Sequence, residues 1–198
     1  MPDGVDEEKR ATLRRFAALG AATPFVSFEG GGSDARDAIV GYLSTTPGAH
    51  FSKVRDDLKL GTGETQHHLK RLLEEGALES RRDGDYRRFF PADRFSAFEQ
   101  VALGYLRRET PRKMLVELLR DPDATGGAIA GAVGVSRATV STYARELDAV
   151  GLLDREDGYA IQRPETVLLL LVRYADSFGA EAQALASDAA ELINVDRH

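Results

Sequence analysis

The chain has 198 residues, of which 42% are hydrophobic, so it can form one large domain or two small domains with buried cores. It contains no cysteine, which excludes disulfide bonds, thiolate metal sites and cysteine nucleophiles. The 26 basic and 32 acidic residues give a net charge of −6, an unexpected sign for a protein that neutralises nucleic-acid phosphates. The distribution of charge along the chain must therefore decide between functions.

Residues 1–33 predict an N-terminal helix followed by a flexible glycine-rich linker. Leu13, Phe16 and Leu19 recur at helical spacing, and we expect them to pack on the body of the protein or on a partner chain. Alternatively, the Arg14–Arg15 pair would open a twin-arginine export signal. The residues before the pair are acidic rather than basic and no small-residue cleavage site follows, so we expect a cytoplasmic protein.

Residues 34–92 carry an apolar pattern that recurs in residues 111–163. The offset between the two patterns drifts only from 76 to 74, and it ends at Asp83-Gly84 in the first copy and Asp157-Gly158 in the second. Corresponding positions include Ile39 and Leu115, Val54 and Ile129, Thr65 and Val140, and Leu72 and Leu147. The sequence therefore predicts two copies of one module.

The first copy ends in a predicted hairpin, Leu78 to Pro91, that is rich in arginine. Guanidinium groups on a projecting hairpin suit phosphates or a narrow minor groove, and the candidates are Arg81, Arg82, Arg87 and Arg88. The alternative is that these arginines pair with acidic residues of the same hairpin. On the helix before it, Gln66, His67 and Lys70 are candidate nucleic-acid contacts, whereas Glu64 opposes phosphate.

Three histidines, His50, His67 and His68, raise the question of a metal site. Adjacent histidines on a helix point about 100° apart and rarely bind the same ion. There is no cysteine and no nearby His-x-x-x-His pair, so we expect no metal and no cofactor.

Residues 93–110 predict a helix that is capped by Asp93 and connects the two modules. Phe95, Phe98, Val101, Ala102 and Tyr105 would lie along its apolar side. Thr110 is then predicted to cap the first helix of the second module.

The second copy predicts a helix, a tight turn and a second helix. In the turn, Gly134 can adopt the left-handed conformation, Val135 can fill the angle between the helices, and Ser136 can cap the second helix. If Val140, Ala144 and Leu147 face the core, a polar face remains outside. Its side chains can bond base edges or phosphates, and they are Ser136, Arg137, Thr139, Ser141, Thr142 and Arg145.

A short hairpin around Asp157-Gly158 follows. With the preceding helices, the stretch from Thr125 to Tyr159 resembles the winged helix-turn-helix domains of bacterial and archaeal transcription regulators of the ArsR and MarR kind. The resemblance implies a mainly α fold with small β wings, and two tandem winged domains at residues 34–92 and 111–163. It implies double-stranded DNA as partner, with recognition helices in the major groove and wings on the backbone or minor groove.

The composition itself resembles that of cytoplasmic proteins of halophilic archaea, because lysine is scarce and acid is in surplus. A GC-rich genome would bias the composition in the same way.

Residues 164–198 predict two further helices separated by Gly179. The apolar run from Val167 to Val172 is too short to cross a bilayer, so it must be buried against the body or against a second copy. The resemblance favours a homodimer formed through these terminal helices. This segment has a net charge of −4, so most of the excess of acidic residues would lie away from the DNA.

The regulator hypothesis has one alternative, a winged-helix adaptor that binds proteins and never touches DNA. Net acidity and Glu64 favour the adaptor, whereas the polar face with Arg137 and Arg145 disfavours it. No nucleotide-binding glycine loop, nucleophile elbow or metal triad is recognisable, so we do not expect an enzyme.

Overall fold

The computed structural model describes residues 11–16 and 34–195, and its chain divides into two compact units, Met1–Ser96 and Ala97–His198. Most of the described chain is helical, and the strands form two small antiparallel sheets. This confirms the predicted fold class.

Beyond a short helical segment at residues 11–16, the described part of the first unit contains three helices and a three-stranded antiparallel sheet. Its elements are α1 (Asp34–Thr45), β1 (Ala49–His50), α2 (Phe51–Asp57), α3 (Thr62–Glu74), β2 (Leu78–Asp83) and β3 (Tyr86–Pro91). The strand order is β1-β3-β2, so β3 is the central strand. The predicted hairpin is present, but its tip pairs Asp83 with Tyr86, so the two turn residues are Gly84 and Asp85.

A short helical segment at residues 11–16 packs against this unit. Leu13 is buried in its apolar core, and the ring of Phe16 meets Tyr42 edge-on with 5.3 Å between centroids. The predicted packing is therefore confirmed for Leu13 and Phe16, while Leu19 and the glycine-rich stretch lie outside the described residues.

The second unit contains seven helices among its described residues and a two-stranded hairpin. The elements are α4 (Ala97–Leu106), α5 (Glu109–Arg120), α6 (Gly126–Val133), α7 (Arg137–Ala149), β4 (Leu153–Asp154), β5 (Ala160–Ile161), α8 (Pro164–Arg173), α9 (Ala175–Phe178) and α10 (Ala180–Val195). Ile129, Val140 and Leu147 are fully buried, as their spacing predicted.

The predicted duplication is visible in backbone conformation as well as in element order. Gly134 ends α6 with a left-handed φ of 76°, and Lys59, its counterpart in the first unit, has a φ of 55°. Gly76 and Gly151 form a second equivalent pair, each with a φ of 72°. Both units therefore use left-handed residues at the same two points, after the second and third helices of the module.

Two predicted helix starts were wrong. Asp93 has a left-handed φ of 57° and lies in a turn after β3, so it caps no helix. The following helix begins at Ala97 and belongs to the second unit. The next helix begins at Glu109 after the N-cap Arg108, so Thr110 lies inside it.

The C-terminal helices fold onto the second unit. Glu181 of α10 lies 3.6 Å from Arg112 and 3.4 Å from Lys113, both on α5. Along α8, Val167 and Leu171 are fully buried, but Leu169 remains 60% exposed. No helix in the described part of the chain is long and apolar enough to span a membrane.

Candidate nucleic-acid interface

The turn between α6 and α7 is built as a helix-turn-helix. The N–H groups of Gly134 and Val135 both donate to the carbonyl oxygen of Ala130, at 3.0 Å each. The Ser136 hydroxyl then accepts from the backbone N–H of Thr139 at 3.1 Å, which caps α7. Since α7 buries Val140, Ala144 and Leu147, its opposite face is exposed to solvent.

The predicted contact residues of α7 lie on this exposed face, but their hydroxyl groups already have local partners. The hydroxyl oxygens of Ser136 and Thr139 are 2.9 Å apart, and the Thr142 hydroxyl donates to the carbonyl of Ala138 at 3.0 Å. Thr139 and Ser141 are half-buried. A hydroxyl that donates to the backbone keeps a lone pair for an incoming donor, so these positions suit acceptor roles.

Arg137 and Arg145 are exposed and make no hydrogen bond or ion pair with any residue that the structure describes. The Arg137 guanidinium lies against the backbone of Gly127 on α6. A Cβ atom built on Gly127 would be 2.9 Å from a terminal nitrogen of Arg137. Gly127 therefore leaves the space that positions this guanidinium, a role that the sequence did not reveal.

In the first unit, α3 presents a nearly neutral face. The Glu64 carboxylate accepts from the backbone N–H of Gly61 at 3.3 Å, so it caps the helix. Gln66, His67 and Lys70 are exposed as predicted, and Lys70 lies 3.7 Å from Glu74. Glu64 thus has a structural reason for its position, which the sequence interpretation missed.

The histidines have structural surroundings. His50 caps α2, with Nδ1 accepting from the backbone N–H of Lys53 at 3.3 Å, and its ring lies 4.8 Å from that of Tyr86. Partial burial, followed by the nearby Arg88 and Lys53 charges, lowers the pKa of His50. Burial and the neighbouring His67 lower the pKa of His68. In the described residues, no group of three metal-ligating side chains comes together.

The β2–β3 hairpin, hereafter the first wing, exposes three of its four arginines. Arg82 and Arg87 lie directly opposite each other across the hairpin. Arg87 donates from Nε to the Ser80 hydroxyl at 2.8 Å, and its guanidinium lies 5.8 Å from the Phe89 ring centroid. Arg81 makes no hydrogen bond or ion pair with the described residues. Like charges on opposing strands repel, so the proximity of Arg82 and Arg87 lowers the stability of the hairpin.

The fourth arginine, Arg88, was wrongly predicted as a DNA contact. It is only 3% exposed. Its Nε donates to Asp83 and a terminal nitrogen donates to the Gly48 carbonyl at 3.0 Å. It lies on β3, the central strand, between β1 and β2. Arg88 therefore holds the wing together and is unavailable to a ligand.

Tyr86, at the tip of the first wing, is a feature that the sequence interpretation missed. Its side chain is 52% exposed, although Arg88 lies 5.8 Å from its ring centroid and His50 packs beside it. An aromatic residue next to the Asp-Gly turn was the available signal. A supported aromatic ring among exposed arginines adds an apolar contact to the candidate interface.

Comparisons with known proteins agree with this architecture. Residues 33–103 match a family model described as an N-terminal HTH domain, and residues 107–153 match a family described as winged helix-turn-helix DNA-binding. An uncharacterized HTH-type transcriptional regulator of Methanocaldococcus jannaschii is 26% identical over 130 residues, which cover 65% of this chain and 32% of that protein. The chain thus spans about a third of the length of this curated relative. No solved structure matches the chain.

Both matched families are described as helix-turn-helix domains, and neither description names an enzymatic activity.

Proposed function

We propose that this chain, with its two tandem helix-turn-helix domains, is a cytoplasmic, sequence-specific transcription regulator that binds double-stranded DNA. In this proposal, α3 and α7 each enter a major groove, and the first wing contacts the backbone or the minor groove. The two family matches and the relative named as a transcriptional regulator support DNA binding at the level of the domains. Closer kinship to ArsR and MarR regulators and an origin in a halophile stay predictions.

The observation that carries the proposal is the unpaired state of Arg137 and Arg145 on the outer face of α7. Acidic residues outnumber basic ones in this chain, and three other arginines of the same unit are paired with carboxylates. Arg112 is paired with Glu181, and likewise Arg108 with Glu146 and Arg120 with Asp188. Two guanidinium groups left free on a helix-turn-helix face are suited to phosphates or to guanine O6 and N7.

Binding of labelled duplexes by the Arg145→Gln and Arg137→Gln variants tests this assignment. If either residue reads a base, its variant should lose about 1–3 kcal/mol on a selected site and discriminate less at one base pair. Arg120→Gln is the matched control, because it removes the same charge from a guanidinium that already has a carboxylate partner. Equal losses in all three variants would contradict base reading by α7.

The first wing supplies the proposed backbone contact through Arg81, Arg82 and Arg87, with Tyr86 at its tip. All four side chains are exposed. In the alternative adaptor function, the wing would not need these charges. The absence of any mobility shift on random duplex at low salt would favour the adaptor and contradict the regulator.

We also propose that the protein is a homodimer formed through its C-terminal helices. Leu169 and Val172 on α8 are 60% and 37% exposed, which is unusual for neighbouring aliphatic side chains on one helix face. Exposed Glu165 and Arg173 lie four residues on either side of Leu169. If two copies of α8 packed antiparallel about Leu169, each glutamate would face the partner's arginine.

Charge reversal on α8 tests the dimer. Light scattering should show monomers for Glu165→Arg and for Arg173→Glu, and dimers for the double variant, in which the pairs are restored with opposite sign. The parent remaining a monomer at high protein concentration would contradict this part of the proposal.

A further inference from the structure

The two hairpins that follow the second helix of each helix-turn-helix differ in charge and in shape. The first wing has six-residue strands and exposes three arginines near its tip. The β4–β5 hairpin, hereafter the second wing, has two-residue strands and a tip that carries Glu156 and Asp157. The duplicated element has therefore reversed the sign of its charge.

The second wing is also fastened to its own domain. The Tyr159 ring packs on the N-terminus of α6, where its hydroxyl lies 3.2 Å from the position that a Cβ atom on Gly126 would occupy. Wing residues and the loop before α6 line a cleft of about 660 Å³. At the base of the tip, Asp154 accepts from the backbone N–H of Glu156 at 2.8 Å. The tip is thus held beside α6 by Tyr159 and shaped by Asp154.

The carboxylates of this wing are not neutralised. Asp154, Glu156 and Asp157 form no ion pair with any residue in the described ranges. The adjacent Arg155 is half-buried, and its Nε has no hydrogen-bond partner. A hairpin that keeps two exposed carboxylates unpaired repels a phosphate backbone.

On the same unit, the exposed cations of the helix-turn-helix are those of α7, Arg137 and Arg145. Attraction at α7 and repulsion at the wing then act on one duplex. A repulsion of equal size in both complexes would cancel from the affinity ratio. Discrimination therefore requires a stronger repulsion in the non-specific complex, where no base contacts hold the wing in a fixed position. Base contacts of α7 offset the repulsion only at the correct site.

We propose that the second wing is a repulsive element that keeps phosphates away, so that the second domain engages DNA through α7 alone and discriminates better against random sequence. This inference rests on the proposed DNA-binding function. It assigns specificity to two residues, Glu156 and Asp157, that make no attractive contact with the ligand.

The test is the double variant Glu156→Gln/Asp157→Asn of the full chain. Binding to a random duplex and to a duplex selected by the parent is measured by fluorescence anisotropy at low salt. We expect the variant to bind the random duplex about three- to fivefold more tightly, the gain calculated for carboxylates placed at an assumed distance of about 8 Å from the nearest phosphates. The selected duplex should gain less, so the affinity ratio between the two duplexes should fall.

The control is Glu117→Gln/Asp176→Asn, which makes the same change in net charge on α5 and α9 at carboxylates that form no ion pair with the described residues. If the control tightens random binding as much as the wing variant, the effect is one of overall charge and the inference is overturned. The inference is also overturned if the parent binds DNA and the wing variant binds the random duplex with the same affinity as the parent. If the parent binds neither duplex, the proposed DNA-binding function is wrong, and this inference, which rests on it, is wrong as well.

Discussion

Neutralising the exposed arginines of the first wing should flatten the salt dependence of DNA binding by a predictable amount. The perturbation is Arg81→Gln/Arg82→Gln/Arg87→Gln, and it spares Arg88 because that side chain is buried. Each lost phosphate contact should lower the slope of log affinity against log salt by about 0.9, so three contacts give about 2.7. Between about 50 mM and 200 mM salt, the parent should therefore lose about 40-fold more affinity than the variant.

The assay is an anisotropy titration of a random duplex at several salt concentrations. The control variant Lys53→Gln/Arg55→Gln/Lys113→Gln removes the same charge from side chains that are paired with carboxylates. It should leave the slope close to that of the parent. A wing variant with the parent slope, or a control with the same loss of slope as the wing variant, would refute the assignment of phosphate contacts to the wing.

Three further predictions concern folding, and each is checked by thermal or urea denaturation. Gly134→Ala should lower the free energy of unfolding by about 1–2 kcal/mol, because Gly134 has a left-handed backbone. Gly131→Ala, inside α6, should raise it by about 0.5–1 kcal/mol, and the added Cβ would meet no neighbour at either position. Equal effects of the two variants would contradict this reasoning. Asp83→Asn should cost about 3 kcal/mol, since it leaves the buried Arg88 without its carboxylate, and a loss below about 1 kcal/mol would show that the pair is solvated. Because the pKa of His50 is lowered in the fold, the unfolded chain binds the proton more readily, so stability should be complete above about pH 7 and fall as the pH drops through about 6.5. His50→Asn keeps a capping oxygen and should reduce this acid sensitivity, and an equally sensitive variant would exclude His50 as its source.

The second helix-turn-helix could be predicted almost completely from the sequence, because its determinants are local. Gly134 and Ser136 act on the backbone within four residues of themselves, and they do so in the structure as the sequence predicted. The first hairpin was likewise predicted from Asp83-Gly84, although its two turn residues are Gly84 and Asp85. A motif set by near neighbours in the chain needs no knowledge of the rest of the fold.

The role of Arg88 could not be predicted in this way. Its burial depends on β1, a two-residue strand with no hydrophobic pattern of its own, and on the Gly48 carbonyl, forty residues earlier in the chain. In a two-stranded hairpin, Arg88 would have been as accessible as Arg81, which lies opposite it. The third strand converts one of four similar arginines into a structural residue, and only tertiary contacts reveal which one.

The net charge of −6 is a poor guide to function for a related reason. Carboxylates such as Glu64, which caps α3, and Glu181, which holds α10 to α5, act within the protein and do not oppose a ligand as free charges would. A ligand meets only the charges that remain unpaired and exposed on the face it approaches. On α7 these are Arg137, Arg145 and Asp148, so two of the three unpaired charges of this helix are cationic although the chain as a whole is acidic. Phosphate attraction therefore depends on which ionic groups lack a partner, and this pairing pattern is a property of the fold.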